Sequence, residues 1–477
     1  MTFLATCGES TTDAVVIGSG FAGLTASLEI LDRGGRVIIV EKESSMGGNS
    51  IKASSGINGC SAIDGEMSQD EVESFIMDTT KSAGDRANPT LIRTLVSNSA
   101  ESLQWLQERL GVDLQSKTKL GGHCRARTHR PVKGTIGYSL ISALKTELQK
   151  FQESGMLQIM TSTTATKLIQ DETVSPNSVT GIKVTHRDDN DQEEEIVLPS
   201  KNVILATGGF AAARDEASLL AQYAPHLLDM PATFGSFSTG DGVQLASVAG
   251  AGRIDMEQIQ IHPTGFVDPK DPQNPSKILC AEVMRGVGGI LLSQGKRFCD
   301  ELGTREYIVF RMMERNKETN DAPFYILLSS AAAKKTDAHI GFYSWKGLLQ
   351  QMSGIESVEN FMKVDPGVIR KTILHYRSDA INGKDGFGKS SFPDNFSDDL
   401  DQADFYVGCV TPVLHYCMGG LTIDASGRVL NEEHNAIPGL WAAGEVAGGV
   451  HGCNRLAGNS LLECLVYGRI IGKQITL

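Results

Sequence analysis

The opening of this chain spells out a strand, a glycine turn, a helix and a second strand, and that pattern leaves few folds open. Residues 13–17 (Asp13-Ala14-Val15-Val16-Ile17) form a short apolar run. Gly18-Ser19-Gly20-Phe21-Ala22-Gly23 follows, then an apolar-periodic stretch from Leu24 to about Arg33. After Gly34-Gly35 comes a second run, Arg36 to Val40, closed by Glu41 and Lys42. This is a βαβ unit carrying G-x-G-x-x-G with an acid at the end of its second strand, the pattern of dinucleotide binding. Gly18 permits the tight turn, Gly20 lets a pyrophosphate approach backbone N–H groups, and Gly23 lets the helix pack on the strand. Glu41 is placed to accept hydrogen bonds from a ribose hydroxyl.

Three further glycine-rich segments return to the same theme. Ser45 to Gly59 directly follows the ribose acid, and a cofactor with a long tail needs such a second close approach. Val203 to Phe210 repeats the strand-to-glycine turn. Ala443 to Ser460 embeds Glu445, His451 and Arg455 among glycines before an apolar helix-like run. Asn459 or Ser460 is expected to cap that helix and turn its positive end toward the loop. Gly121 to Arg130 gathers arginines and histidines, and the sequence gives it no role beyond nearness to an active-site edge.

The remaining pattern implies an interrupted nucleotide-binding domain. Helices are expected over 90–111 and 138–154, and a strand meander over 156–205 with a hairpin tip at Arg187 to Glu195. Residues 350–390 read as helices, Phe405 to Met418 returns the chain, and Leu421 to Leu440 reads as an edge hairpin. The fold class is α/β: a Rossmann-like domain from residues 1–255 and 417–477, with an inserted α+β capping domain over 256–416. At 477 residues the chain is long enough for more than one core.

Composition excludes several classes. A net charge of −13 without a basic block argues against nucleic acid. No apolar run reaches the roughly 18 residues of a membrane span. Met1 to Thr12 lacks the basic start and long apolar stretch of a secretory leader. A cytoplasmic location is expected, or a mitochondrial one where a targeting segment has been removed. The nine cysteines are scattered without a Cys-x-x-Cys pair, so reduced thiols and no metal site are expected.

Several segments carry a more specific pattern. They are Ala206-Thr207-Gly208-Gly209-Phe210, Thr239-Gly240-Asp241-Gly242, Gln260-Ile261-His262-Pro263-Thr264-Gly265, Glu282-Val283-Met284-Arg285-Gly286, Thr304-Arg305, Thr411 to Gly420 and the closing glycine loop. Together they resemble the soluble fumarate reductases, both the fungal type and the flavin domain of flavocytochrome c. The flavoprotein subunits of succinate dehydrogenase are more distant relatives. The resemblance runs from Val15 to Arg469 and implies reduction of fumarate to succinate on FAD. It implies substrate contacts at His262, His415, Arg455 and Gly458, with Arg305 as proton donor and Glu282 and Arg285 as its proton path. Residue chemistry alone nominates a histidine for that donor, since arginine hardly deprotonates near neutral pH.

Cofactor contacts are expected at Gly18, Gly20, Phe21, Ala22, Gly23, Glu41, Lys42, Gly48, Asn49, Ser50, Ser55, Gly56, Thr207, Gly208, Asp241, His415, Glu445, Arg455, Ser460 and Leu461. Membrane-bound relatives attach FAD through a histidine near the second glycine loop. Asn49-Ser50-Ile51 occupies that region here, so a non-covalent FAD is expected. Bacterial flavocytochromes carry Thr where this chain has Ala281. No haem domain is encoded, so reduced flavin or another diffusible donor is expected to supply electrons. The alternative on the same scaffold is a reductase of another unsaturated carboxylate, such as urocanate or methacrylate.

Overall fold

The computed structural model describes residues 12–60, 62–63, 66–171, 173, 178–188 and 190–477. All but the last of the residues on which the reading of the N-terminus rests lie outside the described residues.

The βαβ unit forms as its pattern requires. Ala14–Ile17 pairs in parallel with Val37–Val40 on one side and Val203–Leu205 on the other. Leu157–Met160 extends the sheet beyond Val37–Val40, and Ala436–Ala442 extends it beyond Val203–Leu205. Arg428–Leu430 closes that edge antiparallel, making six strands. The central strands are buried along their whole length, so they read as continuous apolar runs rather than alternating ones. Helix Phe21–Asp32 packs on this sheet and against the C-terminal helix Asn459–Gln474.

Two glycines make the turn possible. Gly18 has φ +102°, and a Cβ there would lie 2.4 Å from the Ala206 carbonyl oxygen. A Cβ on Gly23 would lie 2.1 Å from the Gly18 carbonyl oxygen, so only glycine lets helix and strand approach this closely.

A second, mainly antiparallel sheet of seven strands lies between the two parts of the parallel one in sequence. Its axis is the long strand Asp404–Cys417, which pairs with Ile259–Phe266, Phe324–Ser329 and Gln350–Ser353. Two apolar clusters built from this region, around Met284 and Leu328 and around Phe405 and Tyr376, are separate from the core of the parallel sheet. Strand Asp404–Cys417 begins in the former and ends in the latter, so one element ties both layers to the cavity between them.

Several local expectations need correction. The helix expected over 90–111 is two helices, Pro89–Ser97 and Ser99–Leu110. Asn98 separates them because its side-chain amide donates to the Thr94 carbonyl and competes with the helical ladder. A helix over Gln69–Ala83 has no counterpart in the sequence reading. The meander spans only Thr163–Pro199 with its turn after Arg187, because the flanking strands join the parallel sheet instead. Residues 350–353 are a strand, since their backbone completes the pairing of Asp404–Val407.

Candidate active site

Between the two sheets lies a cavity of about 800 Å³, within the range of pockets that enclose whole small ligands. The first glycine turn, the second glycine loop, Thr207-Gly208 and the closing loop all line it. At the nucleotide end helix Phe21–Asp32 starts after Gly20, which has no side chain to cap it, and no acid sits in its first turn. Ser50 Oγ accepts from Phe21 N–H at 3.1 Å, a neutral contact that leaves the positive helix end beside the cavity. Ser19 N–H and Oγ donate to Glu41 Oε2 at 3.0 and 2.5 Å, and Glu43 N–H donates to Oε1 at 2.9 Å. These bonds fix the acid in its orientation at the cavity wall. Lys42 Nζ pairs with Asp241 at 2.7 Å and donates to Thr239 Oγ1 at 2.7 Å.

The residues present fit a long dinucleotide. A Cβ at Gly20 or Gly48 would meet no atom closer than 3.7 Å, and at Gly208 none within 4 Å, so open space lies where a ligand would press against bare backbone. Thr207 Oγ1 is buried there without a hydrogen-bond partner. Every expected cofactor residue lines the cavity except Gly23, which serves packing.

One expectation about the closing loop is overturned. Neither Asn459 nor Ser460 caps the last helix; its N-cap is Gly458, at φ 84°. The Asn459 amide instead donates to Thr79 Oγ1 and its carbonyl accepts from Asn58 Nδ2 at 2.7 Å, which draws it into the core. The N-terminal N–H groups of the helix are therefore free of side-chain caps, with Ser460 and Leu461 on the cavity wall.

At the other end of the cavity the charged side chains converge. Arg305 starts helix Arg305–Thr319, whose N-cap Thr304 accepts from Tyr307 N–H. Its Nε donates to Glu282 Oε2 at 2.7 Å and its Nη1 to Gln260 Oε1 at 2.6 Å. Arg285 Nη2 lies 3.5 Å from the same Glu282 oxygen. Burial acts to raise the Glu282 carboxyl, yet the Arg305 and Arg285 charges overcome it and hold the group well below the usual carboxylate range. Burial and then Arg285 lower Arg305, against the pull of Glu282.

The two histidines are neutral. His262 Nδ1 accepts from Thr264 N–H at 3.1 Å, which leaves the proton on Nε2, 3.6 Å from Glu282 Oε2. Burial holds its pKa at about 3. His415 stands edge-on to it at 5.1 Å with Nδ1 2.8 Å from Thr233 Oγ1. Burial, followed by the charges of its neighbours, pushes it well below the ordinary histidine value. The Arg455 guanidinium lies 4.3 Å from the Tyr416 ring centre, and burial lowers it to about 10. Glu445 accepts from Cys417 N–H at 2.9 Å, and burial raises it to about 7.

Arg305, His415, Arg455 and Gly458 therefore reach the cavity wall, whereas His262, Glu282 and Arg285 are fully buried and absent from it. Among the expected substrate and proton-path residues, donors remain without hydrogen-bond partners at His262 Nε2, Arg285 Nε and Nη2, and Arg455 Nε. Four residues in this cluster escaped the sequence reading of the site. Gln260 bridges Arg305 to the Arg455 carbonyl, Tyr416 supports Arg455, Thr233 orients His415, and Gly121 N–H donates to Glu282 Oε1 at 3.0 Å. Gln260 and Tyr416 sit inside segments already singled out, so adjacency was a usable signal. Nothing in the sequence marks Thr233.

Comparison with known proteins agrees with this geometry. The FAD binding domain family matches residues 13–461. The chain is 41% identical to a fumarate reductase of Schizosaccharomyces pombe, over 97% of this chain and 89% of that one. It is 35% identical to fumarate reductase 1 of Saccharomyces cerevisiae, covering 98% and 99%. The open conformation of a flavocytochrome c3 fumarate reductase superposes with a TM-score of 0.72 at 31% identity, covering 98% of this chain and 79% of that one. Among the described residues no helix is long and apolar enough to cross a membrane.

Proposed function

The chain belongs to the FAD-binding domain family of flavoprotein oxidoreductases, and from that premise we propose that it reduces fumarate to succinate with non-covalent FAD. The observation that carries this reading is the buried cation cluster. Arg305 and Arg285 flank one firmly ionised carboxylate, Glu282. Arg455 lies nearby with Glu445, whose carboxyl burial raises to about 7, so the cluster keeps positive charge and donors to spare. A small dianion supplies the missing negative charge.

FAD held against Gly20, Thr207 and Gly208 would supply, from N5, the hydride that one carbon of the double bond takes. Arg455 and the neutral imidazoles of His262 and His415 hold the two carboxylates, with Arg455 forming a bidentate pair and the imidazoles donating single N–H bonds. His262 reaches the substrate once the cap over 256–416 closes on the domain formed by 1–255 and 417–477. Closure also excludes water, which strengthens every charge–dipole interaction inside. Arg305 donates a proton to the second carbon, and Glu282 with Arg285 returns one to it. Burial and the neighbouring Arg285 charge lower the Arg305 guanidinium, which favours that transfer.

Non-covalent binding is supported at the second glycine loop. The Asn49 amide there is engaged with Ser238 and with Gly235 N–H. The electron donor is a reduced flavin or another diffusible reductant. Urocanate or methacrylate, with one carboxylate each, would leave part of the cation cluster unpaired.

Two measurements test the reading together. Anaerobic protein with full FAD occupancy, reduced methyl viologen and fumarate should yield succinate stoichiometrically; absence of turnover refutes the assignment. Denaturation should release FAD into the supernatant, and flavin retained on the polypeptide contradicts the non-covalent mode.

A further inference from the structure

The loop Gly121–Arg130 is the one singled-out segment that the proposed reaction leaves without a task, yet it touches both halves of the site. Gly121 N–H donates to Glu282 Oε1, and Gly122 N–H donates to the Leu302 carbonyl at 3.0 Å. His123 Nε2 lies 2.8 Å from the Ala457 carbonyl, between Arg455 and Gly458, and Asn58 Nδ2 donates to the same oxygen at 2.7 Å. The opposite ring nitrogen, Nδ1, lies 3.1 Å from Arg127 Nη1, which has only hydrogens to offer. That contact makes Nδ1 the acceptor and Nε2–H the donor to Ala457. The imidazole is thus held in one neutral tautomer, and burial followed by the Arg127 charge keeps it so, against the pull of the Ala457 carbonyl.

Arg127 is itself locked. It pairs with buried Asp78, donates to Ser74 Oγ at 3.2 Å and lies 4.8 Å from the Phe75 ring centre. Cys124 N–H donates to the same Asp78 carboxylate at 2.8 Å. Helix Gln69–Ala83 also reaches the closing loop directly, through Ser82 Oγ, which donates to the Asn454 carbonyl at 2.8 Å. The order of support runs from helix to Asp78, to Arg127, to His123, and then to the backbone carrying Arg455.

We propose that His123 is a positioning residue for Arg455: its Nε2–H on the Ala457 carbonyl, oriented by the Arg127–Asp78 pair, acts with the Asn58 amide on that oxygen to set the turn from which Arg455 meets the substrate carboxylate. The same short loop holds Glu282 through Gly121, so one rigid segment keeps the carboxylate clamp in register with the proton path. The inference rests on the dicarboxylate reading above. It assigns no chemistry to His123, which is buried behind the loop and does not line the cavity.

Removing a neutral hydrogen bond of this kind weakens what depends on it by roughly tenfold. His123→Leu should raise KM for fumarate about tenfold and weaken succinate binding, read from the flavin absorbance change, by the same factor. Its FAD content and kcat should stay within about threefold of the parent. His123→Gln, whose amide can donate to Ala457 and accept from Arg127, should restore KM to within about twofold. If His123→Leu does not fold, Asp78→Asn loosens Arg127 one step earlier and should raise KM about threefold. Unchanged KM and succinate affinity in the variant that folds overturns the proposal, as does a fall in kcat and FAD content with KM intact. His123→Gln behaving as poorly as His123→Leu overturns it too. A parent enzyme that never turns over fumarate overturns the functional reading as well, whereas a working parent with silent variants overturns this inference alone.

Discussion

Two buried glutamates, Glu282 and Glu301, sit among cations in the same half of the molecule and meet opposite fates. Glu301 is saturated: Arg297 donates to both of its oxygens at 2.8 Å, and Lys389 lies 3.1 Å from one of them. Arg297 is further tied to Asp385 at 2.9 Å and lies 4.7 Å from the Tyr376 ring centre. Glu282 has Arg305 at 2.7 Å, while Arg285 and His262 stand off at 3.5 and 3.6 Å with donors unused. Glu301 lies behind the site, and Arg285 donates to its backbone carbonyl. A closed cluster fixes structure. An open cluster beside a cavity keeps donors free for chemistry, at the cost that unpaired buried groups carry.

The largest expected effect separates the two clusters by activity. Arg305→Ala should lower turnover by at least about 10³-fold, and Glu282→Gln by about 10²-fold, with the flavin spectrum intact. Glu301→Gln should leave kcat within about threefold but lower stability by about 3 kcal/mol, because buried Arg297 and Lys389 lose the carboxylate they share and keep only Asp385 and the more distant Asp300. Turnover with reduced methyl viologen and urea unfolding of the same preparations measure both sides. A Glu301 variant as inactive as the Glu282 variant would erase the distinction.

A second test uses the direction of pH dependence. Burial acts to raise the Glu301 carboxyl, but Lys389 and Arg297 outweigh it and hold the pKa at about 2, below its ordinary 4.5. Its stabilisation is therefore full above about pH 4.5 and lost as pH falls toward 2. Glu445 has the reverse sign. Burial raises it from 4.5 to about 7, so between those values the fold holds a proton that the unfolded chain releases. Stability then declines as pH rises through that window, by about 3 kcal/mol at about 1.4 kcal/mol per unit. In the apoprotein, Glu445→Gln should gain on the parent by about that amount between pH 4.5 and 7 and no further above it. A gap that does not change with pH removes burial as the governing cause.

These contrasts also explain what the sequence could and could not disclose. The first turn of the nucleotide end was legible because Gly18, Gly20 and Gly23 lie close in sequence, and a glycine at fixed spacing has a direct steric meaning. The cavity forms where these three imply. The charged end draws Gln260, Glu282, Arg305, His415 and Arg455 from elements far apart in the chain. No period or spacing joins them, so only the resemblance assembled them. Glu301 and Arg297 were passed over for the same reason. The cap of the last helix was misread because Asn459 suits that role locally, and only the fold reveals Asn58 and Thr79 competing for its side chain. Helix Gln69–Ala83 went unseen although it anchors the Asp78–Arg127 support.

The smallest expected effect comes from an ion pair that lacks the burial of these clusters. Lys42 and Asp241 meet at 2.7 Å across the nucleotide end of the cavity, with about a quarter to a third of each side chain exposed (26% and 32%). Solvent and side-chain entropy reduce such pairs to about 0–1 kcal/mol. Lys42→Met should therefore weaken FAD binding by no more than about fivefold and leave kcat at saturating FAD unchanged. Its effect should shrink further as salt is raised, because exposed charges are screened over about 10 Å at 0.1 M. Titration of the apoprotein with FAD at low and high salt measures this. A loss of a hundredfold or more would mean that Lys42 contacts the cofactor as a desolvated charge, which would place the nucleotide end in the same class as the Glu282 cluster.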